Sequence, residues 1–250
     1  MRTSNSQTVL VTGSATGVGR ACAVRFAKLG FDVVVNYSKS EGDAKETVSL
    51  VEAEGQRALL IQCNVRNDAD VRRMIEQINR EFGRLDVLVN NAAMTYFIEH
   101  ADLEAMTEDK WDDILAVNVK GPFFVTRAAV PLLKQSDAAA VVNVSSTAGV
   151  AGIGSSIAYC ASKGALNNLT MSLARALAPE IRVNAVCPGP IDSRWLLSQM
   201  SADNLQAMTN DFPIPRPAQP DDIADAVIYL ATGTTLTTGQ RLVVDGGRTM

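Results

Sequence analysis

Short runs rich in valine, leucine and isoleucine alternate along this chain with longer segments that have the apolar spacing of helices. The segments at 17–30 and 68–83 carry apolar residues three to four positions apart and end in glycine, which suits the left-handed residue that stops a helix. Strands that alternate with helices build a parallel sheet covered on both faces, and such strands are apolar almost throughout. We therefore predict an α/β fold with a doubly wound, seven-stranded parallel sheet in a single domain over residues 1–250. The predicted strands are 8–12, 32–36, 57–62, 85–90, 139–146, 181–186 and 241–245.

The composition is that of an ordinary globular protein, with 47% hydrophobic and 20% charged residues. The formal net charge of -4 at pH 7 gives no electrostatic footprint for nucleic acid. No apolar run approaches the roughly 18 residues of a membrane helix, so we expect no membrane association. The polar N-terminal residues 1–7 lead directly into a strand, and we expect no signal peptide.

The four cysteines are far apart in sequence and lie among apolar neighbours, which is typical of reduced core thiols. We therefore expect a cytoplasmic protein. His100 is the only histidine and lies in a polar loop, where we expect it to be exposed and non-catalytic. A metal site or a Ser-His-Asp triad would depend on this one residue, so we predict no metal.

The stretch from Pro188 to Pro220 is rich in proline and has no clear periodicity. It is longer than a plain connection between two elements of a compact domain. We predict that residues 190–217 form a lid over the substrate.

A glycine-rich turn follows the first predicted strand. The segment TGSATGVG, residues 12–19, lies between that strand and an amphipathic helix. Such a turn lets the backbone approach a pyrophosphate, and the helix N-terminus offers free N–H groups. A tight turn without any ligand is the alternative, but the strand before it and the helix after it favour a Rossmann-type nucleotide site.

The end of the second strand bears on which nucleotide binds. Turns that bind NAD place an acid there for the ribose hydroxyls, and that acid repels a 2′-phosphate. This sequence reads VVVNYSKS, with Ser38 and Lys39 in place of an acid. A hydroxyl donor and a cation suit a phosphate, which predicts NADP(H) with NAD(H) possible, although Lys39 could also be a solvated loop residue.

Tyr159 is followed four residues later by Lys163, which places both on one helix face. A lysine cation beside a phenol favours the phenolate and lowers a pKa that is normally about 10. A tyrosine tuned in this way can exchange a proton near neutral pH. A packed tyrosine and a solvated lysine on an amphipathic helix are the alternative. Ser146 at the end of a strand, the segment NNAA and Asn118 in a helix favour the catalytic interpretation, since ligands bind where such strands end.

With these segments together, the chain resembles the short-chain dehydrogenase/reductase family over its whole length. The matching motifs are TGSATGVG, NNAA, VNVSS, YCASK, NAVCPGPIDS and TGQRLVVDGG. The resemblance implies a catalytic tetrad of Asn118, Ser146, Tyr159 and Lys163. Tyr159 would protonate the carbonyl oxygen, Ser146 would hydrogen-bond it, Lys163 would hold the ribose hydroxyls, and Asn118 would position a water. The cofactor-binding set that it implies is Gly13, Ser14, Thr16, Gly17, Val18, Gly19, Tyr37, Ser38, Lys39, Asn64, Val65, Asn91, Ala92, Ala93, Val144, Tyr159, Lys163, Pro188, Gly189, Ile191 and Ser193.

The chain departs from the family pattern at four positions. Ala93 replaces a glycine, Asn64 stands where relatives often have aspartate, and Ser193 replaces a threonine but keeps the hydroxyl. Thr16 occupies a position where many NADP-using relatives carry a basic residue, so the NADP(H) prediction rests on Ser38 and Lys39.

Apolar residues near these motifs are candidates for the substrate pocket, although they could equally be the underside of a lid that packs on the core. They are Met94, Tyr96, Phe97, Ile153, Trp195, Leu196 and Met200. A pocket of this kind suits a hydrophobic ketone or alcohol rather than a sugar.

The chain also resembles bacterial 3-oxoacyl-carrier-protein reductases, which dock an acidic carrier protein on basic residues near the ends of two long helices. Asp137 and Glu180 occupy those stretches here and disfavour an acidic partner. We therefore prefer a small-molecule substrate, with the carrier-protein reductase as runner-up and a non-catalytic nucleotide sensor as a remote alternative. Four small residues of the tyrosine helix would suit a close cofactor, close packing against the preceding long helix or close packing against a second copy of this helix: Ala158, Ala161, Ser162 and Ala165. Because members of the family commonly pair these helices, the resemblance implies a homo-oligomer, a dimer or a tetramer.

Overall fold

The computed structural model of the chain describes residues 6–250. Within them, seven parallel strands form one sheet in the order β3-β2-β1-β4-β5-β6-β7. The strands are β1 (Thr8–Val11), β2 (Asp32–Tyr37), β3 (Ala58–Gln62), β4 (Val87–Asn90), β5 (Ala139–Val144), β6 (Ile181–Pro188) and β7 (Arg241–Val244). Each strand agrees with a predicted run to within two residues at either end, so the predicted doubly wound α/β fold is confirmed.

Helices cover both faces of the sheet. The helices are α1 (Gly17–Lys28), α2 (Glu41–Ala53), α3 (Asp68–Phe82), α4 (Glu108–Leu115), α5 (Gly121–Leu133), α6 (Ala148–Ala151), α7 (Ile157–Leu177), α8 (Arg194–Leu197), α9 (Ala202–Thr209) and α10 (Pro220–Thr232). A π-helical turn, Ala116–Lys120, joins α4 to α5. Glycines stop helices as predicted: Gly30 follows α1 with φ 89°, and Gly83 caps α3 with φ 68°.

Alternate residues of each central strand serve two separate cores. Val9 and Val11 of β1 pack with α1 and α10 on one face, whereas Leu10 packs with α3 and α5 on the other. Side chains of a strand alternate between faces, so a strand buried on both sides must be apolar at every position. This requirement explains why the runs of the sequence show no alternation with polar residues.

The strand order reverses direction between β1 and β4. The connections that follow these two strands leave in opposite directions and open a crevice at the carboxyl edge of the sheet. The glycine-rich turn after β1, the NNAA segment after β4 and Ser146 after β5 all reach this edge.

The segment between β6 and α10 is more ordered than its composition predicts. Residues 190–217, which we call the flap, contain the short helices α8 and α9. Its ends are tied together by hydrogen bonds from Asp192 N to Ala218 O (2.8 Å) and from Ala218 N to Pro190 O (2.9 Å). The expectation of an irregular segment is therefore corrected, since both short helices contain residues that favour helices. The Ser201 hydroxyl caps α9 by accepting a hydrogen bond from Asn204 N (3.2 Å), whereas Ser193 precedes α8 without a capping bond.

Cys22, Cys63, Cys160 and Cys187 are buried free thiols, as predicted. In residues 6–250, no helix has the length and the apolar character needed to cross a bilayer. The expected absence of a signal peptide concerns residues 1–7, of which residues 1–5 lie outside the described part.

Candidate active site

A cleft of about 1090 Å³ runs along the carboxyl edge of the sheet. Eighteen of the residues predicted to bind the cofactor line it: Gly13, Thr16, Gly17, Val18, Ser38, Lys39, Asn64, Val65, Asn91, Ala92, Ala93, Val144, Tyr159, Lys163, Pro188, Gly189, Ile191 and Ser193. Ser146 lies on the same wall. The structure thus brings residues from seven separate parts of the sequence to one surface.

Three predicted cofactor residues, Ser14, Gly19 and Tyr37, do not line the cleft. The Ser14 hydroxyl is buried and accepts a hydrogen bond from Asn36 N (3.0 Å), so it joins the turn to β2. Tyr37 is 8% exposed and packs in the core beside α1. The structure thus places the Ser14 and Tyr37 side chains away from the cleft, and the expectation that these three residues contact the cofactor stays a prediction.

The glycine-rich turn fits closely against the segment after β4. A Cβ on Gly19 would lie 2.4 Å from Gly13 O and 2.6 Å from Asn91 Nδ2, and Gly13 has φ 63°. The Asn91 amide donates to Thr12 O (2.9 Å) and Gly13 O (3.0 Å). These contacts require glycine at both positions and leave the backbone exposed to a ligand.

Asn36 is a further residue of this region that the sequence analysis did not select. Its side chain is buried, and its Oδ1 accepts a hydrogen bond from Gly13 N (3.1 Å). The signal for it was present, because a polar residue at the end of an otherwise apolar strand needs a partner for its amide.

The first turn of α1 faces the cleft with Thr16 as N-cap. The Thr16 side chain makes no capping hydrogen bond. Helix N-termini leave N–H groups without intrahelical partners and attract anions. The glycine cradle and this helix end together fit the pyrophosphate of a dinucleotide.

The three reactive side chains come from two neighbouring elements. Ser146 follows β5, while Tyr159 and Lys163 lie one turn apart on α7. The Lys163 ammonium is 5.6 Å from the centre of the Tyr159 ring and donates to Val144 O (2.9 Å). The sequence spacing therefore places both side chains toward the end of β5, as predicted.

Burial shifts the pKa values of this pair in opposite directions. Desolvation raises the pKa of Tyr159 to about 12, although a hydrogen bond with the Ser146 side chain lowers it in part. Desolvation lowers the pKa of Lys163 to about 8. The pKa of Tyr159 thus lies above its usual value, because loss of water outweighs the hydrogen bond with Ser146. The expectation that Lys163 favours the phenolate stays a prediction.

Asn118 lies in the π-helical turn and does not line the cleft. Its Oδ1 accepts from Met94 N (2.9 Å), and its Nδ2 donates to Met94 O (2.9 Å) and Ser162 Oγ (3.0 Å). The amide is satisfied by protein groups, so its side chain ties the segment after β4 to α7. The expectation that Asn118 positions a water stays a prediction.

All seven candidate pocket residues line the end of the cleft near Tyr159: Met94, Tyr96, Phe97, Ile153, Trp195, Leu196 and Met200. The Trp195 ring is 6.4 Å from the Tyr159 ring, between centroids. The Tyr96 hydroxyl donates to Asp113 Oδ2 (3.0 Å), and this bond raises the pKa of Tyr96. His100 also lines the cleft, with Nε2 3.2 Å from Gly154 O, instead of standing free in solvent.

A doubly wound sheet with a dinucleotide cradle beside a serine, a tyrosine and a lysine defines an oxidoreductase that uses a nicotinamide nucleotide. A family model described as enoyl-(acyl carrier protein) reductase matches residues 13–249. The chain belongs to the short-chain dehydrogenase/reductase family.

Individual relatives agree with this assignment. The chain is 43% identical to a Streptomyces violaceoruber protein named as a putative ketoacyl reductase of the granaticin polyketide synthase. The match covers 95% of this chain and 94% of that protein. The 3-oxoacyl-[acyl-carrier-protein] reductase FabG of Staphylococcus aureus is 37% identical over 98% of this chain and 99% of its own. The structure of a short-chain dehydrogenase/reductase from Burkholderia xenovorans is 38% identical, covers 98% of both chains and superposes with a TM-score of 0.92.

Proposed function

We propose that this chain transfers hydride between NADP(H) and a ketone or secondary alcohol, with Tyr159 as the general acid and base. The observation that carries the proposal is the position of Ser146, Tyr159 and Lys163 at one end of a cleft whose other end is the glycine-rich turn. A dinucleotide laid along this cleft has its phosphates at the turn and its nicotinamide at the reactive side chains.

The nicotinamide cofactor supplies or accepts the hydride when it is bound. Gly13, Gly17 and the first turn of α1 would hold its pyrophosphate, and Lys163 would hold the ribose hydroxyls. Tyr159 gives a proton to the carbonyl oxygen of the substrate, and Ser146 donates a hydrogen bond to the same oxygen. The Lys163 ammonium stabilises the phenolate that remains on Tyr159.

Ser38 and Lys39 support the preference for NADP(H). Both line the cleft, and among residues 6–250 Lys39 has no ion-pair partner. A cation without a partner at the end of β2 suits the 2′-phosphate, whereas NAD(H) offers it no anion.

Lys39→Ala should raise the KM for NADPH at least about tenfold, because a hydrogen bond to a charged group contributes roughly 1.5–3 kcal/mol. The KM for NADH should stay within about twofold. Lys45→Ala is the control, since Lys45 is ion-paired with Glu41 on α2 and lies outside the cleft. Initial rates with both nucleotides measure this, and equal losses with NADPH and NADH would contradict the phosphate contact.

A small hydrophobic ketone is the proposed substrate because apolar residues surround Tyr159. A 3-oxoacyl thioester is the second candidate, favoured by the names of the ketoacyl reductase relatives. A carrier protein would dock on basic residues near the ends of α5 and α7. There, Glu180 lies 3.5 Å from Lys134 and offsets the charge of that lysine, whereas Arg175 is exposed. Turnover of simple ketones, diketones and a short 3-oxoacyl thioester with NADPH separates these substrates, and activity that requires the carrier-protein thioester would favour the second. Tight NADPH binding without any turnover would instead favour the nucleotide sensor.

A homo-oligomer, either a dimer or a tetramer, is part of the proposal. Ala158 and Ser162 of α7 are buried inside the chain, whereas Ala161 is exposed on the same helix. Ala161 therefore leaves room for a second helix at close range. The buried free thiols support a cytoplasmic location.

Light scattering should give a mass at least twice the 26.7 kDa of the chain. Ala161→Arg should dissociate the oligomer, because a long charged side chain blocks close helix packing. Ser49→Arg, at an exposed position on α2, is the matched control and should leave the mass unchanged. A wild-type monomer would refute the oligomer.

A further inference from the structure

Basic residues outnumber acidic residues on the wall of the cleft, although the whole chain has a net charge of -4. Its basic residues are Lys39, Arg66, Lys163, Arg194 and Arg248, and its acidic residues are Glu99 and Asp113. Arg66 pairs with Asp113 (2.8 Å), and Arg194 pairs with Asp43 (3.0 Å). Within residues 6–250, three cleft cations have no acidic partner: Lys39 and Lys163, which belong to the proposed cofactor and reaction sites, and Arg248.

Arg248 lies in a turn after β7 that is fixed by its neighbours. Asp245 accepts hydrogen bonds from Gly247 N (2.9 Å), Thr249 N (3.0 Å) and Thr249 Oγ1 (2.8 Å). Both carboxylate oxygens of Asp245 are thus used by the turn itself. The guanidinium of Arg248, three residues away, is left without this carboxylate as a partner.

The same turn is packed against the flap. Ile214 N donates to Gly246 O (2.9 Å), and a Cβ on Gly247 would lie 2.7 Å from Pro213 Cγ. The Arg248 guanidinium stands 5.8 Å from the centre of the Phe212 ring. An arginine that lies beside an aromatic ring and is carried by a fixed turn loses less conformational entropy when it binds an anion than a free surface arginine does.

The position of β7 in the sheet separates Arg248 from the phosphates of the cofactor. β7 is the outermost strand and lies four strand spacings from β1, which is about 19 Å at 4.8 Å per spacing. Glu99 follows β4, about 14 Å from β7 by the same measure. Apolar residues of the flap line the same cleft as Arg248, among them Trp195, Met200 and Met208.

We infer that Arg248 binds a carboxylate at the far end of the substrate, so that the substrate is a keto acid or hydroxy acid with an apolar chain between its two polar groups. Arginine forms two parallel hydrogen bonds with a carboxylate, which fixes direction as well as affinity. The carbonyl then lies at Tyr159 and the chain along the flap. This inference rests on the proposed function and adds the class of substrate.

The experiment compares oxo acids of increasing length with their methyl esters, using NADPH and three proteins: wild type, Arg248→Met and Arg241→Met. Arg241 is the control because it lies on β7, the strand that precedes the turn of Arg248, but outside the cleft. Wild type and Arg241→Met should prefer the acid at one chain length by at least about tenfold in kcat/KM. Arg248→Met should lose that preference through KM, with the ester unchanged within about twofold.

Several outcomes would overturn the inference. If Arg248→Met lowered kcat/KM equally for the acid and the ester, the role of Arg248 would be structural. If the preference for the acid were unchanged, another group would bind the carboxylate. An effect confined to a phosphopantetheine thioester would assign Arg248 to a phosphate instead. Ester turnover without any acid preference refutes the inference alone, whereas no turnover of any carbonyl refutes the proposed function.

If no carbonyl is turned over, a binding measurement tests the carboxylate contact of Arg248 separately from the proposed oxidoreductase function. A saturated fatty acid of matched length should change the fluorescence of Trp195, which lies in the cleft. Arg248→Met should weaken this binding at least about tenfold. Equal binding to wild type and Arg248→Met would overturn the inference whatever the catalytic result.

Discussion

Tyr159→Phe should lower the turnover number at least about 100-fold, the usual scale for a removed general acid. The substitution removes one oxygen and keeps the ring, so the contact with Trp195 and the shape of the cleft remain. The Kd for NADPH should therefore stay within about threefold. Steady-state rates and fluorescence titration with NADPH measure the two quantities separately.

A matched tyrosine in the same cleft provides the control. The Tyr96 hydroxyl donates to Asp113 and is committed to that bond. Tyr96→Phe should therefore lower turnover by less than about tenfold, since it removes one hydrogen bond and no reacting proton. Near-normal turnover in Tyr159→Phe, or equal losses in the two variants, would contradict the assignment of Tyr159 as the acid.

The pKa values predict how the reaction depends on pH. With its pKa raised to about 12, Tyr159 keeps its proton through the neutral range and can donate it. With its pKa lowered to about 8, Lys163 is charged below that pH and neutral above it. Carbonyl reduction should thus slow as pH rises through about 8, because the cation that stabilises the phenolate is lost.

The sheet could be predicted from the sequence because each strand has to be apolar on both faces. Val9, Leu10 and Val11 serve two cores, and a run of this length that is rich in β-branched residues and followed by a glycine-rich turn favours a strand over a helix. The position of the candidate catalytic residues on one cleft could be predicted as well, since Tyr159 and Lys163 are one helical turn apart and Ser146 ends a strand.

Features that depend on contacts between distant segments could not be predicted. The side-chain amide of Asn118 bonds Met94 and Ser162, which only the packed structure brings within reach. The pKa of Tyr159 depends on how much water the fold removes, and spacing along a helix carries no information about burial. Arg248 reaches the cleft only because the turn after β7 packs against the flap.

Gly149→Ala should lower the turnover number at least about tenfold, because it should shift α7, the helix that carries Tyr159 and Lys163. A displacement of a catalytic group by about 1 Å can lower the rate about 100-fold. Gly149 lies in α6, and a Cβ there would be 2.4 Å from Lys163 C and 2.6 Å from Gly164 N. Both neighbours are backbone atoms, so α7 itself has to move. Overpacking of this kind costs about 1–3 kcal/mol, which should also lower the Tm.

Hydrogen bonds on both sides hold α6 against α7 at Gly149, so the two helices cannot easily move apart to make room for a methyl group. Asn167 Nδ2 donates to Gly149 O (3.2 Å), and Ser145 Oγ donates to Lys163 O (3.2 Å). A methyl group at Gly149 must therefore break these bonds or drive the two helices apart, and either change moves the Lys163 ammonium relative to Val144 O. Far-UV circular dichroism verifies folding, while kcat and the KM for NADPH report the position of α7.

Gly164→Ala is the matched control on the opposite side of the same contact. A Cβ on Gly164 would meet only Gly149 O, at 3.7 Å, which is an ordinary van der Waals distance. Alanine also favours a helix over glycine by about 1 kcal/mol. Gly164→Ala should thus keep turnover within about twofold with an unchanged or higher Tm. If a folded Gly149→Ala protein turned over like Gly164→Ala, the close approach of α6 would not set the position of the reactive pair, and the hydrogen bonds of Ser145 and Asn167 would have to be sufficient to hold it.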